Sequence, residues 1–242
     1  MRSRHPTRFN NERDNAGQTL WDSFCERFGV IESSVPLFAM TANGVVQTRK
    51  IGKDGRQVLL RSPEMEALII RETRTLLDDW RTGTHRYDGL IYFMGWRRGD
   101  HFVPLYIGKA ETLGKGKGNL SANIRGIEND RSKFARWGDN YAYHVGDLSA
   151  CVLGHDAANR TIKYQSWAET LFKTVPCKAP TLLEPVYFWA RAWDNSWTGV
   201  WEELGATRLA FLEYLLIGVG SLVSPALLNR EGLQRNASTH GS

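Results

Sequence analysis

Hydrophobic positions along the chain fall into short β-rich runs and longer helical ones. Residues 88–96 and 103–110 are apolar at most positions and are joined by a polar turn, which predicts a hairpin covered on both faces. Residues 185–193 form a third β-rich run, and residues 203–220 form the most apolar helical segment. This order of elements predicts an α+β fold with a small mixed sheet.

The segments before the hairpin predict a helix, a second hairpin and another helix. Ser62 suits the N-cap of the last of these helices, and Pro63 suits its first turn. In chain order we expect a mobile stretch over about the first 18 residues, a helix over 19–29, two β-rich runs within 44–60, and a helix over 62–81.

After the hairpin the pattern predicts a helix over 119–138, a strand over 141–153 and a helix over 157–173. A turn-rich break before the hairpin suggests a domain boundary near Thr84. We therefore expect three regions, namely an N-terminal extension over 1–84, a main domain over 85–230 and a flexible tail over 231–242.

Composition narrows the class of protein. With 242 residues, 42% of them hydrophobic, the chain can bury a core, which excludes collagen, low-complexity and intrinsically disordered proteins. Its three cysteines are far apart and form no CxxC, so neither a disulfide framework nor a zinc site is indicated. A reducing cytoplasm fits best, and the polar start lacks the apolar stretch of a secretory signal.

The net charge of +5 is concentrated in one stretch. Residues 95–136 contain nine basic and four acidic residues, and the remainder is formally neutral. Such an excess is typical of a surface that meets phosphates, although a solvated basic face would have the same composition.

Residues 209–228 are nearly all apolar and long enough to cross a bilayer, but Glu213 and the helix breaker Pro225 favour a core helix over a membrane span. The residues three and four positions from Glu213 on a helix are all apolar. A carboxylate facing such neighbours needs a metal ion or a fixed donor as partner, unless it reaches solvent at the helix edge.

The predicted hairpin contains two tripeptides that each include a tyrosine, and the two tyrosines lie fourteen positions apart. They and the residues after them resemble the GIY-YIG nuclease family over residues 88–230. The matching residues are Leu90-Ile91-Tyr92, Tyr106-Ile107-Gly108, Lys109, a basic segment with Arg125, Leu212-Glu213 with Leu216-Ile217, and Asn229.

The resemblance implies a nuclease core with a small, mainly antiparallel three-stranded sheet flanked by helices, and a Mg²⁺- or Mn²⁺-dependent DNA endonuclease activity. Glu213 would hold the metal ion, and Arg125 would clamp the scissile phosphate. Either Tyr92 or Tyr106 would act as general base. Lys109 would assist that tyrosine, and Asn229 would steady the site.

The chain departs from the family pattern after the second tripeptide. An inserted Gly-Lys-Gly-Lys-Gly at 114–118 shifts the expected arginine to Asn123, so Arg125 is the nearest candidate. Four residues later stands Asn129 where the family has Tyr or His, and His144 could substitute. Further contacts to DNA are expected from Arg97, Arg98, Lys115, Lys117, Arg131, Lys133 and Arg136. The N-terminal extension over 1–84 could contact DNA as well.

Within this family we favour a restriction or other phage-defence nuclease that acts on double-stranded DNA. We expect no association with a membrane. A palindromic target would require a homodimer. A structure-specific repair or recombination nuclease, or a homing nuclease, is the alternative within the family. Outside it, the alternatives are a non-catalytic nucleic-acid-binding protein on the same fold and a membrane-tethered protein.

Overall fold

The computed structural model describes residues 7–116 and 118–229, with side chains from residue 15 onward. In these residues the helices are α1 (Thr7–Arg27), α2 (Val30–Ser33), α3 (Pro63–Thr82), α4 (His144–Leu153), α5 (Ile162–Leu171) and α6 (Leu209–Val223). The strands are β1 (Val35–Pro36), β2 (Thr48–Ile51), β3 (Arg56–Leu59), β4 (Tyr87–Arg98), β5 (His101–Glu111) and β6 (Tyr187–Asp194). Short 3-10 turns cover Phe134–Arg136, Ala157–Asn159 and Glu202–Leu204.

The main sheet has the strand order β1-β6-β4-β5, and all of its pairings are antiparallel. Strand β4 pairs with β5 on one side and β6 on the other, so that Tyr92 stands opposite both Gly108 and Ala190. The expected α+β fold with a mainly antiparallel sheet flanked by helices is confirmed. The expected parallel component is wrong for the described strands, and the two-residue β1 adds a fourth strand to the predicted three.

The sheet is covered on both faces, as the apolar hairpin predicts. Leu90, Tyr92 and Met94 face one hydrophobic layer, which α3, α4 and α5 help to build. Ile91 and Phe93 face the other layer, beneath α1 and α6. Alternate residues of β4 are therefore buried in opposite layers, and hardly any position on this strand is free to be polar.

Helix α3 confirms its sequence signals. The Ser62 side chain accepts a hydrogen bond from the backbone N–H of Met65 at 2.9 Å, and Pro63 opens the first turn. The helix ends at Gly83, which has a left-handed φ of 72°.

Helix α6 lies within the apolar stretch of residues 209–228. It packs its buried face, including Leu212 and Leu216, onto β4 and β5. Among residues 7–116 and 118–229, no helix is long and apolar enough to cross a membrane.

Two predictions are wrong in the central part of the chain and at its start. Helix α1 already begins at Thr7, so residues 7–18 are helical rather than a mobile stretch. The strand predicted over 141–153 is helix α4, and nine of its ten residues are buried. A helix buried on all sides lacks the one-sided apolar period by which helices are predicted.

The helix predicted over 119–138 is also wrong. Residues 121–130 form successive turns, and the Asp130 carboxylate accepts a hydrogen bond from the backbone N–H of Ser132 at 2.9 Å, which favours a turn over a helix. The next turn is left-handed, with φ of 34° at Phe134, 50° at Ala135 and 75° at Arg136. Left-handed backbone costs about 1–2 kcal/mol at each non-glycine residue, so surrounding contacts must hold this turn.

A buried arginine from the N-terminal part supplies those contacts. The Arg61 side chain is 1% exposed; its guanidinium donates to the Trp137 carbonyl at 2.7 Å and to Asp139 at 2.5 Å. It also lies 4.6 Å from the centre of the Phe134 ring and pairs with Glu66 at 2.8 Å. The Arg61 side chain thus contacts the first residue of the left-handed turn and the residues that follow it.

Residues on either side of Thr84 share the main sheet. Strand β1 pairs with β6, and α3 packs on β6 and β4. Arg49 and Arg56 of the β2-β3 hairpin contact Asp139 and Asn140 beside the left-handed turn. The predicted tail over 231–242 lies outside the described residues.

We expect Asp139→Ala to lower the free energy of unfolding by about 3–5 kcal/mol, because it leaves the buried Arg61 guanidinium without its principal counter-charge. Urea denaturation measures the change. The control is Asp78→Ala, which removes an exposed ion pair to Arg81 and should cost less than about 0.5 kcal/mol. Equal effects of the two substitutions would contradict this role of the buried pair.

Candidate functional site

Tyr92 is built into the sheet by the glycine opposite it. Its ring lies across Gly108, and a Cβ atom at position 108 would fall 2.6–2.8 Å from three atoms of the tyrosine side chain. A side chain at this position is therefore incompatible with the present position of Tyr92. The glycine of the second tripeptide is explained by this contact rather than by backbone conformation.

Tyr92, His144 and Tyr164 form a buried hydrogen-bonded chain. The Tyr92 hydroxyl lies 3.1 Å from His144 Nε2, and His144 Nδ1 lies 2.7 Å from the Tyr164 hydroxyl. Burial above all, with the nearby cations Lys163 and Arg136, holds the pKa of His144 well below its ordinary value, so the imidazole is neutral. A neutral imidazole accepts a hydrogen bond from one phenol and donates one to the other.

Burial also holds the pKa of Tyr92 well above its ordinary value. Its side chain is 2% exposed, whereas Tyr106 is half-buried. The two rings lie 6.4 Å apart between centroids. The tyrosines are thus neighbours in different environments, and Tyr106 is the one with access to water.

Four of the six predicted catalytic residues, Tyr92, Tyr106, Lys109 and Glu213, line one cavity of about 650 Å³. It lies at the end of the hairpin remote from its turn, where β5 ends at Glu111. Among the residues that line it are Tyr92, Tyr106, Lys109, Lys115, Arg136, His144 and Glu213. The sheet, the inserted loop, the left-handed turn, α4 and α6 each contribute at least one of them, so the cavity depends on the tertiary fold.

A smaller cavity of about 230 Å³ adjoins this one. Tyr106 and Glu213 line both, and Lys163 and Asn229 belong to the smaller one. Glu213 is half-buried on α6 and stands between the two spaces. The sequence indicates that this carboxylate needs a metal ion or a fixed donor as partner unless it reaches solvent, and its location between two cavities is consistent with that expectation.

Arg136, and not Arg125, is the arginine at the cavity. Arg125 is exposed on the turns of residues 121–130 and is absent from the cavity lining, as is Asn129. Arg136 reaches the cavity from the left-handed turn, with its guanidinium 5.6 Å from the centre of the Tyr143 ring. Counting residues along the chain could not locate it, because the predicted helix does not form.

Lys109 and Asn229 are held by specific partners. The Lys109 ammonium pairs with Glu111 at the cavity edge. The Asn229 side chain, 7% exposed, accepts a hydrogen bond from the Ile107 N–H at 3.0 Å and donates one to the Ile107 carbonyl at 2.8 Å. Asn229 therefore fastens the segment that follows α6 to the backbone of the second tripeptide.

The basic residues expected to contact DNA are dispersed. Lys115 lies at the cavity, whereas Arg98 pairs with Glu184 and Arg97 lies 5.0 Å from the Tyr187 ring centre, at the other end of β4. Arg97 is six residues from Ile91, the partner of Lys109, which places it about 20 Å from the site.

Two of the remaining basic residues lie near the left-handed turn. Arg131 stacks on Phe134 and pairs with Glu66 at 3.5 Å, and Lys133 is half-buried. Lys117 lies outside the described residues. Arg131 is therefore engaged in holding the fold, and of this set Lys115 and Arg136 are the residues that line the cavity.

The donors at the cavity fit a Mg²⁺ ion held mainly by water. Within the described ranges, no three His, Cys, Asp or Glu residues are grouped as metal ligands, so a site enclosed by protein is not present there. Mg²⁺ keeps several water ligands and is commonly bound by one or two carboxylates together with substrate phosphate. Glu213, half-buried between two cavities that can hold several water molecules, suits that mode of binding.

Two aromatic and cationic partners of the site were not anticipated from the sequence. Tyr164 and Lys163 come from α5, a segment to which the family resemblance assigns no site residue. Their adjacency to each other and to Trp167, three and four positions on, was the available signal, but it does not indicate which face of α5 is buried.

Comparisons with protein-family models, with curated proteins and with solved structures find no match for this chain. The geometry of the cavity is therefore the basis for assigning a function.

We expect Gly108→Ala to displace the Tyr92 ring and to cost about 1–3 kcal/mol in the free energy of unfolding, because the added Cβ overlaps the ring. Chemical denaturation measures the loss. Gly218→Ala on α6 is the matched control; nothing lies within 4 Å of its Cβ, so the higher helix propensity of alanine should leave stability unchanged or raised. An unchanged stability of Gly108→Ala would refute the packing argument.

Proposed function

We propose that this chain is a divalent-metal-dependent DNA endonuclease with a GIY-YIG-like core. The observation that carries the proposal is the gathering of Tyr92, Tyr106, Lys109, Arg136 and Glu213 around one cavity. Two phenols, two cations and one carboxylate can supply the base, the phosphate-binding group and the metal ligand that phosphodiester hydrolysis uses. They come from separate parts of the chain, in the order that the resemblance implies.

Hydrolysis needs an activated water, neutralisation of charge on the phosphate oxygens, and stabilisation of the leaving oxygen. Arg136 binds a non-bridging oxygen of the scissile phosphate, since a guanidinium can donate two parallel hydrogen bonds. Tyr106, with its access to water, acts in its phenolate form: it orients the attacking water and accepts its proton, which returns the tyrosine to the neutral phenol. The Lys109 ammonium favours the ionised form of the tyrosine that can take up this proton.

Tyr92 has a different task. Its buried hydroxyl keeps its proton and is tied to His144, so it positions groups at the cavity floor and does not act as base. Glu213 would hold Mg²⁺ or Mn²⁺, which when bound would supply Lewis-acid stabilisation of the phosphate oxygens and of the leaving oxygen, and that oxygen would take its proton from solvent. Asn229 keeps the backbone beside Tyr106 in place.

The biological role that we favour is restriction or another form of phage defence in the cytoplasm. The arginine contacts from the N-terminal part to the left-handed turn support a role for that part in the site. A palindromic duplex target would require two copies of the chain, arranged as a symmetric dimer.

We expect Glu213→Gln to abolish Mg²⁺-dependent cleavage of plasmid DNA and to leave DNA binding intact, because the amide removes the charge that holds the ion while keeping the side-chain volume. Glu169→Gln is the control, since Glu169 is exposed and hydrogen-bonded to Gln165. Cleavage is followed on agarose gels and binding by fluorescence anisotropy.

The products of the unsubstituted protein test the biological role in the same assay. Discrete fragments support restriction, whereas random nicking or a preference for branched DNA contradicts it. Absence of cleavage with either Mg²⁺ or Mn²⁺ contradicts the enzymatic proposal and favours a DNA-binding protein on the same fold.

A pair of arginine variants tests the phosphate clamp. Arg136→Ala should slow cleavage by about 10²–10³-fold, the usual cost of removing one donor to a developing charge. Arg125→Ala should change the rate by less than about threefold, because this residue is exposed and away from the cavity lining. Single-turnover rates under saturating protein decide the matter, and the reverse order of effects would return the role to Arg125.

A further inference from the structure

Lys163 lies at the second position of α5 and lines the smaller cavity with Tyr106, Glu213 and Asn229. That cavity adjoins the main one at Tyr106 and Glu213, the residues proposed to meet water and metal. A DNA strand whose scissile phosphate lies in the main cavity would reach Lys163 if it continues past these two residues.

The Lys163 ammonium lies close to three aromatic rings. Its ammonium lies 5.0 Å from the ring centre of Tyr106, 5.2 Å from that of Tyr164 and 5.4 Å from that of Trp167. Tyr164 and Trp167 are buried, and Thr161 caps α5, the helix that carries Lys163 and these two rings. A lysine restrained in this way loses less side-chain entropy on binding an anion than a freely moving one.

The electrostatic setting favours an anion at this place. The N-terminus of a helix carries partial positive charge, so a lysine in the first turn of α5 is placed against its own helix dipole. Arg136, on the left-handed turn, lines the main cavity together with His144, and the charges of Lys163 and Arg136 add to burial in lowering the pKa of His144. Positive charge from α5 and from the left-handed turn thus surrounds the tyrosine pair, and a phosphate backbone would relieve the repulsion.

We propose that Lys163 binds the DNA phosphate next to the scissile one, on the far side of Tyr106 from Arg136. This inference rests on the proposed nuclease function. It assigns to the segment between α4 and β6 a direct part in gripping the substrate strand. Lys163 contacts a phosphate that does not react, so its contribution is the same in the ground state and the transition state.

The test measures DNA binding in the cleavage-deficient Glu213→Gln protein, using a short DNA duplex of arbitrary sequence at several salt concentrations. Adding Lys163→Met removes the charge and keeps an unbranched stem that can pack on the rings. We expect affinity to fall about tenfold and the slope of log K against log salt to become shallower by about one unit. Lys163→Arg should restore both quantities.

Lys173→Met is the matched control, because Lys173 is exposed just after α5 and lies outside both cavities. It should leave affinity and slope unchanged. In the cleavage-competent protein, Lys163→Met should raise KM about tenfold while kcat changes by less than about threefold.

The outcomes separate this inference from the function beneath it. Failure of the Glu213→Gln protein to bind the duplex overturns both. Binding with an unchanged salt slope in Lys163→Met overturns the phosphate contact alone, and a lowered melting temperature with that unchanged slope would mean that Lys163 only packs against Tyr106.

Discussion

The candidate site depends on a charge buried far from the tyrosine motifs. The Arg61 guanidinium is removed from water almost completely, and an isolated cation in that position would be prohibitively unstable. It is satisfied by the Trp137 carbonyl and Asp139 on one side of the left-handed turn and by the Phe134 ring on the other. The segment that carries Arg136 is thereby fixed without forming a helix or strand of its own.

The same network explains how the left-handed turn persists. Phe134, Ala135 and Arg136 all have positive φ, and none is glycine. Their combined backbone cost is several kcal/mol, which the Arg61 contacts and the burial of Phe134 offset. The direction of the Arg136 side chain is thus set by residues that precede Thr84, so the N-terminal part helps to build the cavity as well as the sheet.

Local sequence signals predicted the elements whose causes are local. Ser62 and Pro63 begin α3 by satisfying its first turn, and the period of the two apolar runs predicted the hairpin and its two covered faces. Helix α4 was predicted as a strand because nine of its ten residues are buried, with α5 and β3 packed against it. No one-sided pattern of apolar residues remains in such a segment.

The site was predictable to the extent that strand pairing determines it. Register alone places Tyr92 against Gly108 and brings Tyr106 nearby, and α6 brings Glu213 to the same end of the hairpin. Arg136 and Lys163 were not predictable as site residues, because a buried ion pair and the packing of α5 position them and neither leaves a periodic trace in the sequence.

Net charge is a limited guide for the same reason. In the basic stretch of residues 95–136, Arg98 pairs with Glu184 and Arg131 with Glu66, so these charges are compensated within the fold. Lys163, which lies outside that stretch, stands beside Tyr106. The potential at the cavity is therefore determined by which cations the fold brings to it, and only in part by the segment in which the basic residues are most numerous.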